Sequence, residues 1–171
     1  LPPPACTHPS RATPAAQLVP ELYGTLEVAL CIALHRRAHP SGEERSSARS
    51  LVMLSFGNSA IKGHLLNFCH HANRTGVAYV IGAVDKAAYA LLSSQRTPVY
   101  KTPLAHEQYK LDGANSPSSS SWKRFASMRT GEVARLVALG FDVLHSDLDV
   151  VWLRDPTPYL TCSLAARSDE F

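Results

Sequence analysis

Two aspartates separated by one residue, Asp147 and Asp149, are the pair whose type and spacing point most directly to chemistry. They follow the apolar run Phe141-Asp142-Val143-Leu144-His145 and precede Val150-Val151-Trp152-Leu153. In an extended chain, residues i and i+2 project to the same side. Two carboxylates side by side at 4 Å repel by ~4 kcal/mol at an effective dielectric of 20. Such a pair is tolerated when it is solvated, protonated or bridged by a cation. A hard divalent ion, Mn²⁺ or Mg²⁺, suits oxygen ligands and keeps positions for phosphate oxygens. The C-terminal end of a parallel strand is also where open α/β sheets take their ligands.

The elements needed to hold that pair can be read upstream. Leu51-Val52-Met53-Leu54-Ser55-Phe56 is a short apolar run of the kind buried on both faces of a parallel sheet. Gly57-Asn58-Ser59 is a turn with helix-capping residues. Ile61, Leu65, Phe68, Cys69 and Ala72 mark one face of a helix that Gly76 ends. Val77–Ala83 predicts a second buried strand, Asp85 caps a helix through Leu92, and Pro98-Val99-Tyr100 predicts a third strand. A long polar loop covers 103–121. Trp122, Phe125, Arg129, Val133 and Leu136 share a helical face, with Gly131 as a break point and Gly140 as a stop, and Phe141–His145 is the last strand. Strands alternating with helices over short loops predict an α/β domain with a mostly parallel sheet. Val52, Leu54, Val80, Ile81, Val143 and Leu144 are its expected deep core, with Asp147, Asp149, Asn58 and Asp85 at one sheet edge.

Ahead of this domain lie two other segments. Residues 1–20 hold six of the twelve prolines and read as a linker. Residues 21–50 read as a helix (21–36) followed by a polar linker, so the domain proper is expected over 51–171. Composition excludes other classes. Of the 171 residues, 45% are hydrophobic and 18% charged, which excludes whole-chain disorder. A net charge of +3 with no Lys/Arg block gives no basis for a nucleic-acid partner. Four dispersed cysteines form neither a disulfide framework nor a zinc-finger spacing. No apolar run approaches the ~20 residues of a membrane span. His64, Cys69, His70 and His71 read as one core cysteine with surface histidines, Trp152 as core, and Asp155-Pro156 as a turn that packs the two aspartates in place.

The segment Gly140–Pro156 resembles the signature of the nucleotide-diphospho-sugar transferase family, which includes plant and algal arabinosyl- and xylosyltransferases of GT-A fold. The family wording is a glycine, an aromatic, an apolar strand and D-x-D-x-x-W-x-x-x-P. Here it is carried by Gly140, Phe141, Asp147, Asp149, Trp152 and Pro156. Further blocks follow the family order. Leu54-Ser55-Phe56-Gly57-Asn58 is similar to a first strand ending T-F-x-N, and Ile81-Gly82-Ala83-Val84-Asp85 to a second ending V-G-A-x-D. Asp112-Gly113, Trp122, Phe125 and Met128 resemble the middle block, and Arg129 stands where the family carries Lys or Arg. Pro158-Tyr159-Leu160 and Ala165–Asp169 resemble the closing P-Y-L and A-D-x-x-x-S-D. Arg167 departs from the small or apolar residue usual there, and the loop at 113–121 is longer and richer in serine.

The resemblance implies a GT-A, Rossmann-like sheet flanked by helices and incomplete at the C-terminus. It implies transfer of a sugar, arabinose or xylose, from a UDP-sugar donor to a hydroxyl on a glycan or a hydroxyproline-rich glycoprotein. The implied cofactor is Mn²⁺ or Mg²⁺, with Asp149 as direct ligand and Asp147 reaching the metal through water or contacting the sugar or ribose. Phe56, Gly57 and Asn58 would line base and ribose, Asp85 would meet the nucleoside, and Arg129 would offset phosphate charge. Helix capping is an equal reading for Asp85 and Asn58, and a surface ion pair is the other reading for Arg129. Asp169 is a further candidate for the site. The implied compartment is the Golgi lumen, with any membrane anchor upstream of Leu1. The fragment alone is expected to be inactive for want of an acceptor half. Two other readings stand beside this one. The first is a truncated, non-catalytic paralogue with residual nucleotide binding. The second is a receiver-type phosphoacceptor domain, disfavoured because Phe56-Gly57-Asn58 occupies the place of its acidic cluster.

Overall fold

The computed structural model describes residues 24–37, 51–106 and 120–160. The Pro-rich segment 1–20, the polar run before Leu51, Asp112-Gly113 and the closing stretch with Asp169 lie outside them.

Four parallel strands form one sheet: β1 (Leu51–Gly57), β2 (Ala78–Ala83), β3 (Val99–Lys101) and β4 (Asp142–His145), in the order β3-β2-β1-β4. Among the described residues five α-helices accompany it: α1 (Leu26–Arg37), α2 (Lys62–Thr75), α3 (Lys86–Ser94), α4 (Pro103–His106) and α5 (Ser120–Ala138). The expected α/β, Rossmann-like parallel architecture is present. The β1 side chains explain its two layers. Val52, Leu54 and Phe56 face a core built with α1, α4 and α5, whereas Met53 faces a second core built with α2 and α3. Both faces being covered, β1 is apolar on both faces apart from Ser55, and does not alternate.

Local chemistry sets the element ends. Gly76 adopts φ +73°, the left-handed conformation that ends α2, and Arg74 in the last turn faces the negative end of the helix. The Asp85 carboxylate accepts from the Ala88 amide at 2.6 Å and caps α3. A Cβ on Gly131 would meet no atom within 4 Å outside the helix's own backbone, and α5 passes through this expected break point unbroken. Tertiary contacts outweigh the ~1 kcal/mol that glycine costs inside a helix.

Two further expectations are corrected. The helix assigned to a segment ahead of the domain is part of it: Leu26, Ala29, Leu30 and Ala33 are buried in the same core as Val52 and Val80. The Lys101 amide donates to the Gly24 carbonyl at 2.8 Å, tying the entry of α1 to β3. Val143 and Leu144 are half-buried, not deeply buried like Val52, Leu54, Val80 and Ile81. The reason is position: β4 pairs with β1 on one side and is an edge strand among the described residues. No helix of the described residues is long and apolar enough to cross a membrane.

Candidate functional site

The chain runs β1, β2, β3 in one direction across the sheet, then returns to lay β4 on the opposite flank of β1. The connections after β1 and before β4 therefore lie on opposite faces, through α2 and α5 respectively. Where strand order reverses in this way, a crevice opens at the carboxyl ends of the two strands. The exit of β1 is Phe56-Gly57-Asn58, and the exit of β4 is Ser146-Asp147-Leu148-Asp149. The topology brings these two segments to one place. Asp85 leaves the neighbouring β2 at the same edge, and β2 lies about 10 Å from β4 across β1, two strand spacings.

The two aspartates are not in extended chain, as the spacing argument expected. The ladder continues one residue past β4, with the Ser146 amide donating to the Leu54 carbonyl at 3.0 Å. The Val150 amide then donates to the Asp147 carbonyl at 3.2 Å and closes a turn around Leu148 and Asp149. Leu148 is 6% exposed and lies against Gly57 and Leu65. A Cβ on Gly57 would overlap Leu148 Cδ1 and lie 2.8 Å from Leu65 Cδ2, so only glycine leaves the socket that Leu148 fills. One buried leucine thus anchors a turn whose flanking carboxylates both face solvent.

The turn is braced from its far side. Trp152 Nε1 donates to Ser146 Oγ at 2.9 Å, and Ser146 Oγ donates to the Asp147 carbonyl at 3.2 Å. The Trp152 ring packs on the α2/α3 core, as expected of a core residue. The Thr157 amide donates to Asp155 Oδ1 at 2.8 Å, which makes Asp155-Pro156 the start of a turn.

Each remaining candidate has a distinct setting. Phe56 is 7% exposed, and its ring fills space left open by Gly82, whose Cβ would overlap it. Asn58 precedes a short 3₁₀ turn (Ser59–Ile61) but makes no side-chain capping bond. Asp85 supplies that turn instead: its Oδ2 accepts from the Ser59 amide at 2.9 Å and from Ser59 Oγ at 2.8 Å. Both Asp85 oxygens are therefore engaged, one on each of two helix starts, and the residue ties the exit of β1 to the exit of β2. Arg129 projects from α5 to Asp147, with Nη2 3.5 Å from Oδ1. The same Nη2 lies 3.4 Å from His145 Nδ1, and the guanidinium sits 5.4 Å from the centre of the Phe125 ring.

His145 escaped the sequence reading. Its ring is 5.9 Å from that of Phe56, so it joins the end of β1 to Arg129. Burial depresses its pKa first and the Arg129 charge second, against an opposing pull from Asp147. A neutral ring that accepts at Nδ1 fits the guanidinium beside it. The available signal was strand alternation, which puts His145 on the α5 face, two residues before Asp147. Glu132 also escaped. It is 7% exposed inside α5 and accepts from the Tyr100 hydroxyl at 2.9 Å. Arg135 lies 3.9 Å from it and also pairs with Glu27 of α1. Nothing in the helical pattern separates a buried glutamate from a solvated one.

The Cys69 side chain is buried while His64 and His70 are exposed. Among the described residues no group of three or more His, Cys, Asp or Glu side chains is placed to hold a metal. Among the described residues Asp147 and Asp149 are two exposed hard oxygen donors with no third placed beside them. That set fits a cation whose other positions are taken by water and by phosphate oxygens.

The profile of the nucleotide-diphospho-sugar transferases matches residues 77–170, more than half of the sequence and all of β2 through the two aspartates. The chain belongs to the nucleotide-diphospho-sugar transferase family. This member of the family is 30% identical over 125 residues to the beta-arabinofuranosyltransferase RAY1 of Arabidopsis thaliana, covering 70% of the chain and 23% of that relative. It is 24% identical over 112 residues to the arabinosyltransferase XEG113 of the same plant, covering 65% of the chain and 17% of that relative. The chain thus spans a quarter or less of the length of these curated relatives. No solved structure matches it significantly.

Proposed function

We propose that this chain is the nucleotide-binding part of a glycosyltransferase that moves a pentose, arabinose or xylose, from a UDP-sugar to an acceptor hydroxyl. The observation that carries the reading is the reversal of strand order between β1 and β4, which sets the exits of these two strands side by side. Two curated relatives named as arabinosyltransferases support the pentose. The proposed acceptor is a glycan or a hydroxyproline-rich glycoprotein, and the proposed compartment is the Golgi lumen. Both rest on the sequence resemblance.

The chemical difficulty is the leaving group. A departing nucleoside diphosphate gains negative charge as the glycosidic bond breaks, so fixed positive charge at the phosphates lowers the barrier. Asp147 and Asp149 would hold Mn²⁺ or Mg²⁺, which when bound supplies that charge. Leu148 holds the backbone of the turn in place, so that binding asks only the two side chains to adjust. Phe56, Gly57 and Asn58, at the exit of β1, would line base and ribose. Asp85, spent on Ser59 and Ala88, positions the floor between β1 and β2.

Calorimetric titration of UDP with and without Mn²⁺ tests the reading. Binding should require the cation and disappear both on chelation and in Asp149→Ala. Equal affinity with and without metal would overturn it.

A further inference from the structure

Arg129 is the one basic side chain among the described residues that reaches either aspartate of the turn. It does so with Nη2 alone. That atom lies 3.5 Å from Asp147 Oδ1 and 3.4 Å from His145 Nδ1. Nη1 and Nε have no partner among the described residues, although a guanidinium carries five N–H donors. The group is nevertheless confined. The Phe125 ring lies 5.4 Å below it, His145 flanks it, and its side chain is 25% exposed against 66% for Asp147. A cation held in place by two rings, loosely bonded to one carboxylate and with most donors unspent, is set up for exchange and not for structural support.

We infer that Arg129 is a resident counter-cation of Asp147 that exchanges partners when the site fills. Paired with Asp147 it offsets that charge and so competes with a divalent cation for the carboxylate. When Asp147 turns to the metal, the guanidinium is released from it and its free donors take the diphosphate oxygens, for which a planar fork is well matched. The inference rests on the proposed function, because it needs a metal and a diphosphate at this turn. It adds a sign that neither the family nor the ion pair alone supplies. Arg129 opposes metal binding without nucleotide and favours nucleotide binding once the metal is present.

Mn²⁺ affinity without nucleotide, and UDP affinity at saturating Mn²⁺, should be measured for the wild type, Arg129→Gln, Arg129→Lys, Asp147→Asn and Arg129→Gln/Asp147→Asn, with circular dichroism to establish folding. Arg129→Gln should bind Mn²⁺ about two- to fivefold more tightly, the range set by an exposed ion pair. The same variant should bind UDP roughly tenfold or more weakly, from loss of a charge-assisted bond. Arg129→Lys should restore the metal affinity toward wild type more than the UDP affinity, since it keeps charge but loses the fork. In the Asp147→Asn background the Arg129→Gln change should leave Mn²⁺ affinity unaltered, an outcome a purely structural role for Arg129 would not give. Unchanged or weaker Mn²⁺ binding by Arg129→Gln, with Mn²⁺ and UDP binding by the wild type intact, would overturn the exchange while leaving the proposed function standing. Absence of Mn²⁺ and UDP binding in every protein, wild type included, would overturn both.

Discussion

Leu148 occupies the space that any side chain on Gly57 would need. The position of both aspartates follows from this, because Leu148 is the only buried residue of the turn that carries them. Gly57→Ala should therefore displace Leu148, at a cost of about 1–3 kcal/mol typical of overpacking. It should also weaken metal-dependent UDP binding although position 57 lies beneath the turn. Urea denaturation and calorimetry on the same protein check the two effects, and unchanged UDP affinity would show that the turn holds its shape without this socket.

Asp85 joins two helix starts. Asp85→Ala should lose the α3 cap and both bonds to Ser59, destabilising the protein by about 1–3 kcal/mol. Asp85→Asn retains one acceptor oxygen and should lose less. Denaturant midpoints rank the two variants, and equal midpoints for both would argue against the bridging role.

Tyr100 gives the alkaline behaviour. Burial first, then the charge of Glu132 and the bond to it, push the Tyr100 hydroxyl far above the usual phenol range. A pKa raised in the folded state favours the protonated folded form. The stability it contributes is complete below the unfolded-state value of about 10 and is lost as pH rises above it. Tyr100 should thus stay protonated until the chain unfolds, and the phenolate absorbance of Tyr100 should appear together with loss of helical circular dichroism. Tyr100→Phe should remove that component and cost about 1–3 kcal/mol at neutral pH, because Glu132 is left buried with one fewer donor.

Trp152 should report on the site. Its Nε1 is bonded to Ser146 Oγ, which is bonded in turn to the Asp147 carbonyl. In Trp122→Phe, where Trp152 is the remaining tryptophan, emission should shift when Mn²⁺ and UDP are added. Trp152→Phe should cost about 1 kcal/mol from the lost bond. A silent Trp152 in a protein that binds UDP calorimetrically would show that filling the site does not reach Trp152 through Ser146.

Much of the scaffold is legible in the linear sequence because it depends on local pattern. The apolar runs at 51–56, 77–83 and 141–145 are strands within a residue or two, Asp85 caps a helix, and Gly76 ends one. Those features follow from side-chain periodicity and from single-residue backbone preference. The pair Asp147 and Asp149 was equally visible, as was their place at a strand end.

What tertiary structure decided is which partners each polar group meets. Register places Leu148 in the socket at Gly57 and turns the aspartates out of extended chain. The α5 face carries Arg129 to Asp147 and His145 across 18 and 16 positions of sequence, a juxtaposition that no local pattern encodes. Asp85 serves Ser59, 26 residues away, and leaves Asn58 unspent. The edge position of β4 exposes Val143 and Leu144, although their composition is that of buried strand. Periodicity fixes which face of an element is apolar, but the strand order β3-β2-β1-β4 arises only when the sheet assembles, and that order sets the exits of β1 and β4 side by side.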